Sequence, residues 1–188
     1  MADQTNGLLS SFLKKQRFAA VKGFLTGRIL DVGCGTGALA GYVSPDCYLG
    51  IDVDSDSINQ AKRTYPDTQF QCTADFSDIP GTFDTILLLA VVEHFCDPAL
   101  LLAQLAHSMA SDGTMVITTP DPKFGWLLRV GGHLGLLSKE ALEDHKELVG
   151  YSRLQQCADR AGLHVVTMRR FLCGANQLFV LKHGGIQI

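Results

Sequence analysis

Apolar residues recur along this chain in two different rhythms. Leu8, Leu9, Phe12, Leu13, Ala19, Ala20 and Phe24 come at roughly helical spacing, with Lys14, Lys15 and Arg17 among them. That pattern predicts an amphipathic helix packed on the domain. Short apolar runs follow, over about 28–32, 48–51, 68–72, 83–89 and 114–118, and these read as strands. Helices are expected between them. The first covers about 38–43. The second is capped by Asp54 and runs to about Tyr65, before Pro66. The third starts at Asp97-Pro98, a capping carboxylate followed by proline at the first helical position, and reaches about Ala110. Pro120-Asp121-Pro122 closes the fifth strand and the rhythm then breaks. The segment 120–150 is rich in glycine and large apolar residues: Phe124, Trp126, Leu127, Leu128, Val130, Leu134, Leu136 and Leu137. Helix resumes over about 138–147 and 152–160, and two strands over 163–170 and 176–181 end the pattern. Strand-helix alternation closed by a strand pair predicts an α/β chain with a mostly parallel sheet covered on both faces, doubly wound.

The 188 residues fit one domain with a substantial core. Its parts are an N-terminal helical segment (1–27), a ligand-binding core (28–120), a cover (121–150) and a C-terminal helix with strands (151–188). Composition narrows the function. The formal charge of −3 and the unclustered basic residues argue against nucleic acid as a partner. The six cysteines form no CxxC pair, which argues against zinc or a disulfide scaffold and fits a reducing cytoplasm. No HxxxH pairing suggests a metal. No apolar run is long enough to span a bilayer, and residues 1–7 lack the features of a signal peptide.

The most informative stretch is Ile29-Leu30-Asp31-Val32-Gly33-Cys34-Gly35-Thr36-Gly37. A buried strand ends here in three alternate glycines, which permit positive φ and let a ligand approach without meeting a Cβ. In sheets of this type ligands bind at the strand C-termini. Cys34 fills the tight turn as a small residue. Asp52, at the end of the second strand, can accept two hydrogen bonds from ribose hydroxyls. Val53 beside it can lie against an adenine face. Asp75 after the third strand can accept from an exocyclic amine, and Phe76 offers a backbone N–H and an aromatic wall. Leu88, Leu89 and Ala90 line the floor, and Glu93-His94 lines the cleft after the fourth strand.

These segments resemble, in order, the successive motifs of class I S-adenosylmethionine methyltransferases: 29–37, Gly50-Ile51-Asp52-Val53, Ala74-Asp75-Phe76, Phe83-Asp84 with Val92-Glu93-His94, and 113–120. The nearest subset is the small-molecule group that includes the ubiquinone and menaquinone biosynthesis enzymes. The resemblance implies a Rossmann-like seven-stranded sheet with its last strand antiparallel. It also implies S-adenosylmethionine as methyl donor. The methionine part would be held by Asp31, Gly33, Gly35 and Gly37, ribose by Asp52, and adenine by Asp75 and Phe76. The segment Glu143-Asp144-His145-Lys146-Glu147-Leu148 extends the resemblance weakly, while Val149-Gly150-Tyr151 departs from it.

Two alternatives stand beside this reading. Gly33-x-Gly35-x-x-Ala38 with Asp52 also satisfies the dinucleotide fingerprint, which points to an NAD-dependent oxidoreductase. Asp31 opposes it, because a carboxylate suits a cationic sulfonium ligand and sits poorly near a pyrophosphate. A non-catalytic S-adenosylmethionine- or nucleotide-binding module is the other alternative. For methyl transfer, the protein must align a nucleophile and exclude water. A base is needed only where the acceptor loses a proton. Candidates are His94, Asp121, His133, Asp144, His145 and Tyr151, with His145 and His94 taken as the catalytic pair. The apolar segment 124–137 is the expected substrate cover, for an apolar or lipid-linked small molecule with transient membrane or lipid contact.

Overall fold

Residues 2–124 and 149–184 are described by the computed structural model of the chain. The chain begins with helix α1 (Ala2–Val21), continued by a 3-10 turn at Lys22–Phe24. Strands β1 (Ile29–Val32) and β2 (Tyr48–Asp52) follow, then helix α2 (Ser55–Thr64) and strands β3 (Gln69–Cys72) and β4 (Phe83–Leu89). Helix α3 (Pro98–Ala106) leads to β5 (Met109–Pro120). Helix α4 (Tyr151–Arg160), β6 (Leu163–Phe171) and β7 (Asn176–His183) complete the described chain.

The strands form one seven-stranded sheet in the order β3-β2-β1-β4-β5-β7-β6. β1 pairs in parallel with β2 and β4, and β7 runs antiparallel to both β5 and β6. The Rossmann-like sheet with an antiparallel last strand is therefore the observed one. β1, in the middle of the parallel strands, is buried on both faces, so it is apolar except at Asp31, and every residue of it is buried. One core, on the α3 and α4 face, contains Leu30, Ile86, Leu88, Leu102, Leu154 and Phe179. The other contains Val21, Ile29, Ile58, Leu87, Val116 and Leu178, with Phe18 and Phe24 packed against it. Helices thus cover both sides, and the strand ends that carry the glycine turn lie between the two cores.

Two expected boundaries differ. The helix expected over 38–43 is a turn ending in one 3-10 turn, Ala40–Tyr42. Its bonds are short-range, Ala40 N–H to Gly37 at 3.0 Å and Tyr42 N–H to Leu39 at 3.0 Å. Gly41 and the nearby Pro45 leave too little chain to repay helix nucleation. The third helix stops at Ala106 rather than Ala110, and β5 begins at Met109 rather than 114. Met109 pairs with Phe83 and the register shifts before Thr85 meets Thr114, so residues once read as a helix end become strand around a bulge. The expected helix over 138–147 and the cover 124–137 lie outside the described residues, except for a 3-10 turn at Pro122–Phe124. Among the described residues no helix is long and apolar enough to cross a membrane.

Leu102 is fully buried and Leu100 is 57% exposed on the same helix. Leu102→Ala should lower unfolding free energy by about 2–5 kcal/mol, and Leu100→Ala by less than about 0.5 kcal/mol, in urea titrations.

Candidate functional site

The glycine turn is held by its own backbone. Gly33, Gly35 and Gly37 have φ of 71°, 53° and 74°, a region a side chain rarely enters. Close packing adds a second reason at two of them. A Cβ on Gly37 would lie 2.7 Å from the Phe70 ring, and one on Gly33 would lie 2.6 Å from a Val91 methyl. Gly35 differs, because a Cβ there would meet nothing within 4 Å. The top of the turn is open, as a cradle for a ligand requires.

Four of the turn's N–H groups are already used. Gly33 and Cys34 donate to the Ile51 carbonyl at 2.8 and 3.1 Å, and Gly37 donates to Cys34 at 3.0 Å. Gly35 donates to Asp52 Oδ2 at 2.7 Å, while Asp54 N–H donates to Asp52 Oδ1 at 3.0 Å. Asp52 is thus fixed at the end of β2, half-buried, with one further acceptor site left on each oxygen. It faces whatever lies above Gly35. A pyrophosphate needs free N–H groups at a helix N-terminus. Here four of the turn's N–H groups are taken, a 3-10 turn stands where the helix would begin, and a carboxylate borders the turn.

Asp31 is 4% exposed and accepts a 2.6 Å hydrogen bond from the Tyr48 hydroxyl. Burial pushes its carboxyl up to about 7, against the lowering effect of that bond, and the Asp52 charge adds to the rise. Tyr48 was not picked out as a site residue from the sequence. Parallel register sets Asp31 beside Gly50 and so brings Tyr48 to the same face. Burial likewise raises the Cys34 thiol, aided by the Asp31 and Asp52 charges, so it is no nucleophile.

The remaining residues spread outward. Val53 is 61% exposed beside Asp52. Asp75 is exposed and accepts from the Ser77 N–H and hydroxyl at 2.9 and 2.6 Å, which lowers its pKa. Phe76 is buried and packs edge-on against Phe95, with ring centroids 5.7 Å apart. Leu88 is buried in the core and Leu89 is half-buried. Beyond β4, Val92–His94 forms a 3-10 turn in which His94 is exposed and Glu93 buried. Asp121 is paired with Arg170 at 2.7 Å and accepts from the Lys123 N–H. Burial alone would raise its pKa, but those partners outweigh it and hold the carboxylate low, which makes it a poor base. Tyr151 stacks on Phe179. His133, Asp144 and His145 lie outside the described residues.

Comparison with known proteins now bears on this geometry. A family model described as a methyltransferase domain matches residues 2–168. A ubiquinone biosynthesis O-methyltransferase of Neisseria meningitidis serogroup C is 27% identical over 152 residues, covering 73% of this chain. The chain spans only 64% of that relative's length. Among solved structures, an S-adenosylmethionine-dependent methyltransferase from Clostridium acetobutylicum shares the fold with a TM-score of 0.67 and 13% identity, over 92% of both chains. An O-methyltransferase from neocarzinostatin biosynthesis, in complex with S-adenosylhomocysteine and 1,4-dihydroxy-2-naphthoic acid, has a TM-score of 0.66 and 18% identity. It matches 95% of this chain and 58% of its own.

Asp31 gives a pH-dependent outcome. Burial raises its carboxyl to about 7 in the folded protein, against 3.8 for a free aspartate, so the folded state holds the extra proton between those values. Its contribution to stability is present below the lower value and lost as pH rises through the higher one. Asp31→Asn should therefore gain stability over wild type as pH goes from about 4 to about 8, by a few kcal/mol. Denaturant titrations at the two pH values check it.

Proposed function

This chain belongs to the methyltransferase-domain family, and on that premise we propose that it moves a methyl group from S-adenosylmethionine to a small-molecule acceptor. The observation that carries the reading is the Asp52–Gly35 bond beneath an open turn. A carboxylate with acceptor capacity remaining suits a diol and a cationic donor. The same turn has spent four of its N–H groups and has no helix N-terminus behind it, which disfavours a dinucleotide pyrophosphate there.

The residues fit the donor. The open turn at Gly33, Cys34, Gly35 and Gly37 would hold its methionine part, with Asp31 beneath. Asp52 would hold the ribose hydroxyls, and Val53, Asp75 and Phe76 the adenine, with Leu88 and Leu89 as floor. Bound there, S-adenosylmethionine supplies an electrophilic methyl carbon on a sulfonium. The protein's part is to orient the acceptor behind that carbon and to keep water out, which requires no covalent enzyme intermediate. Asp31 is half-ionised near neutrality, so the standing negative charge of the site rests chiefly on Asp52.

An oxygen acceptor is supported by the relatives, which are O-methyltransferases, and a small hydroxylated ring by the neighbour that holds a dihydroxynaphthoic acid. An apolar or lipid-linked acceptor beneath 124–137, with transient lipid contact, rests on the composition of that segment. A catalytic role for His145 rests on the family resemblance of its segment, and one for His94 on its place near the C-terminal edge of the sheet. The cytoplasm as place of action rests on six free cysteines, and the exclusion of nucleic acid on the net charge of −3.

S-adenosylhomocysteine should raise the melting temperature of the protein, and NAD at equal concentration should not. A shift with NAD alone would reverse the reading. Asp52→Ala should weaken S-adenosylhomocysteine binding by about 1.5–3 kcal/mol in calorimetry, and unchanged affinity would remove Asp52 from the site.

A further inference from the structure

Buried polar atoms normally have partners, because an orphaned one costs about 1–3 kcal/mol. Among the described residues six buried side-chain atoms have none: Arg17 Nε, both carboxylate oxygens of Glu93, the hydroxyls of Thr118 and Thr119, and Asn176 Oδ1. Five of them lie along one edge of the sheet, with the Thr118 and Thr119 side chains on its opposite faces. Thr118 and Thr119 end β5, Asn176 opens β7 opposite Pro120, and Glu93 lies in the turn after β4. Arg17 comes down from α1 close enough for its charge to act on Glu93.

That edge adjoins the candidate cofactor turn. Val91, two residues before Glu93, packs against Gly33 closely enough to forbid a Cβ there. Ala90, at φ 61°, donates its N–H to the Thr118 carbonyl at 2.8 Å and ties the same turn to the end of β5. Glu93 itself is 1% exposed, and although the Thr119 hydroxyl stands near, neither of its oxygens completes a hydrogen bond. Five of the six orphaned atoms are oxygens, which calls for a ligand that offers O–H groups.

We propose that Glu93 is the base that receives the proton of a hydroxyl-bearing acceptor bound between the turn after β4 and the ends of β5 and β7. The inference rests on the methyl-transfer reading above and deepens it to O-methylation with a named base. The acceptor O–H bond breaks and its proton passes to a Glu93 oxygen. The oxygen's electron pair forms the new bond to the methyl carbon, whose bond to sulfur breaks with its pair left on sulfur. The proton then leaves Glu93 to water when product departs.

The surroundings suit a base. Burial raises the Glu93 pKa, opposed by its own backbone, by the charges of His94 and Arg17, and by the Thr119 hydroxyl. A carboxylate of raised pKa is a better proton acceptor than an exposed one. Arg17, whose own pKa burial lowers, offsets the charge so that a neutral hydroxyl ligand is favoured over an anion. His94 is exposed beside it, and its charge opposes the rise.

The test uses the full chain with S-adenosylmethionine and two probes, 1-naphthol and 1,4-dihydroxy-2-naphthoic acid. Wild type should methylate at least one, with kcat falling on the acid side. Glu93→Gln should lose about 10²–10⁴-fold in kcat and lose that acid limb. Its affinity for S-adenosylhomocysteine should stay within about twofold, since a twofold change is under a third of a tenfold step in free energy. In wild type loaded with S-adenosylhomocysteine, the ¹³C carboxyl resonance of Glu93 should move when 1-naphthol is added. This readout stands even if the variant does not fold. An unchanged kcat and acid limb in Glu93→Gln, an unmoved resonance, or rejection of both probes by protein that binds S-adenosylhomocysteine would each overturn the proposal. Failure to bind S-adenosylhomocysteine at all would instead overturn the reading beneath it.

Discussion

The bond from Gly35 N–H to the Asp52 carboxylate is the constraint on which the site depends. It joins the end of β2 to the turn after β1, and parallel pairing of those strands makes the two meet. The turn can take this shape only because three of its residues are glycines at positive φ. It is held down by neighbours that leave no space for a Cβ at Gly33 or Gly37, while Gly35 stays open above. A scaffold packed below and vacant above is what a preorganised binding turn requires.

Two buried carboxylates near this turn are handled differently. Asp31 has a hydroxyl partner, Tyr48, and the desolvation of its charge is only partly relieved. Glu93 has charged neighbours and the Thr119 hydroxyl nearby, yet neither of its oxygens completes a hydrogen bond. The first is a satisfied element of the fold that tunes the charge beneath the turn. The second is unsatisfied within the fold, and buried groups of that kind are commonly kept for a ligand or for chemistry. Asp121, equally buried, is fully engaged by Arg170 and Lys123 and shows what a structural carboxylate at the same edge looks like.

Much of this was legible in the sequence. Strands β1, β2 and β4 are short buried runs, and such runs leave a clear mark. The Asp54 and Asp97 caps were equally plain, and both carboxylates accept the N–H groups of the following turn. The helix expected over 38–43 failed because Gly41 and Pro45 outweighed its apolar residues. The early start of β5 was hidden because Asp112-Gly113 reads as a break when it forms part of a bulge. Around the site, the glycines and Asp52 could be named from spacing alone. The Tyr48 partner of Asp31 needed strand register, and the isolation of Glu93 needed the packing of α1, β5 and β7 around it. Those are properties of three dimensions that no local pattern records.

The central claim is that the open turn and Asp52 together form the seat of the methyl donor. A crystal structure of the protein with S-adenosylhomocysteine tests it most directly. The account predicts the ribose hydroxyls on Asp52 and the amino-acid part over Gly33–Gly37. Density for the molecule elsewhere on the protein, with this turn empty, would contradict it.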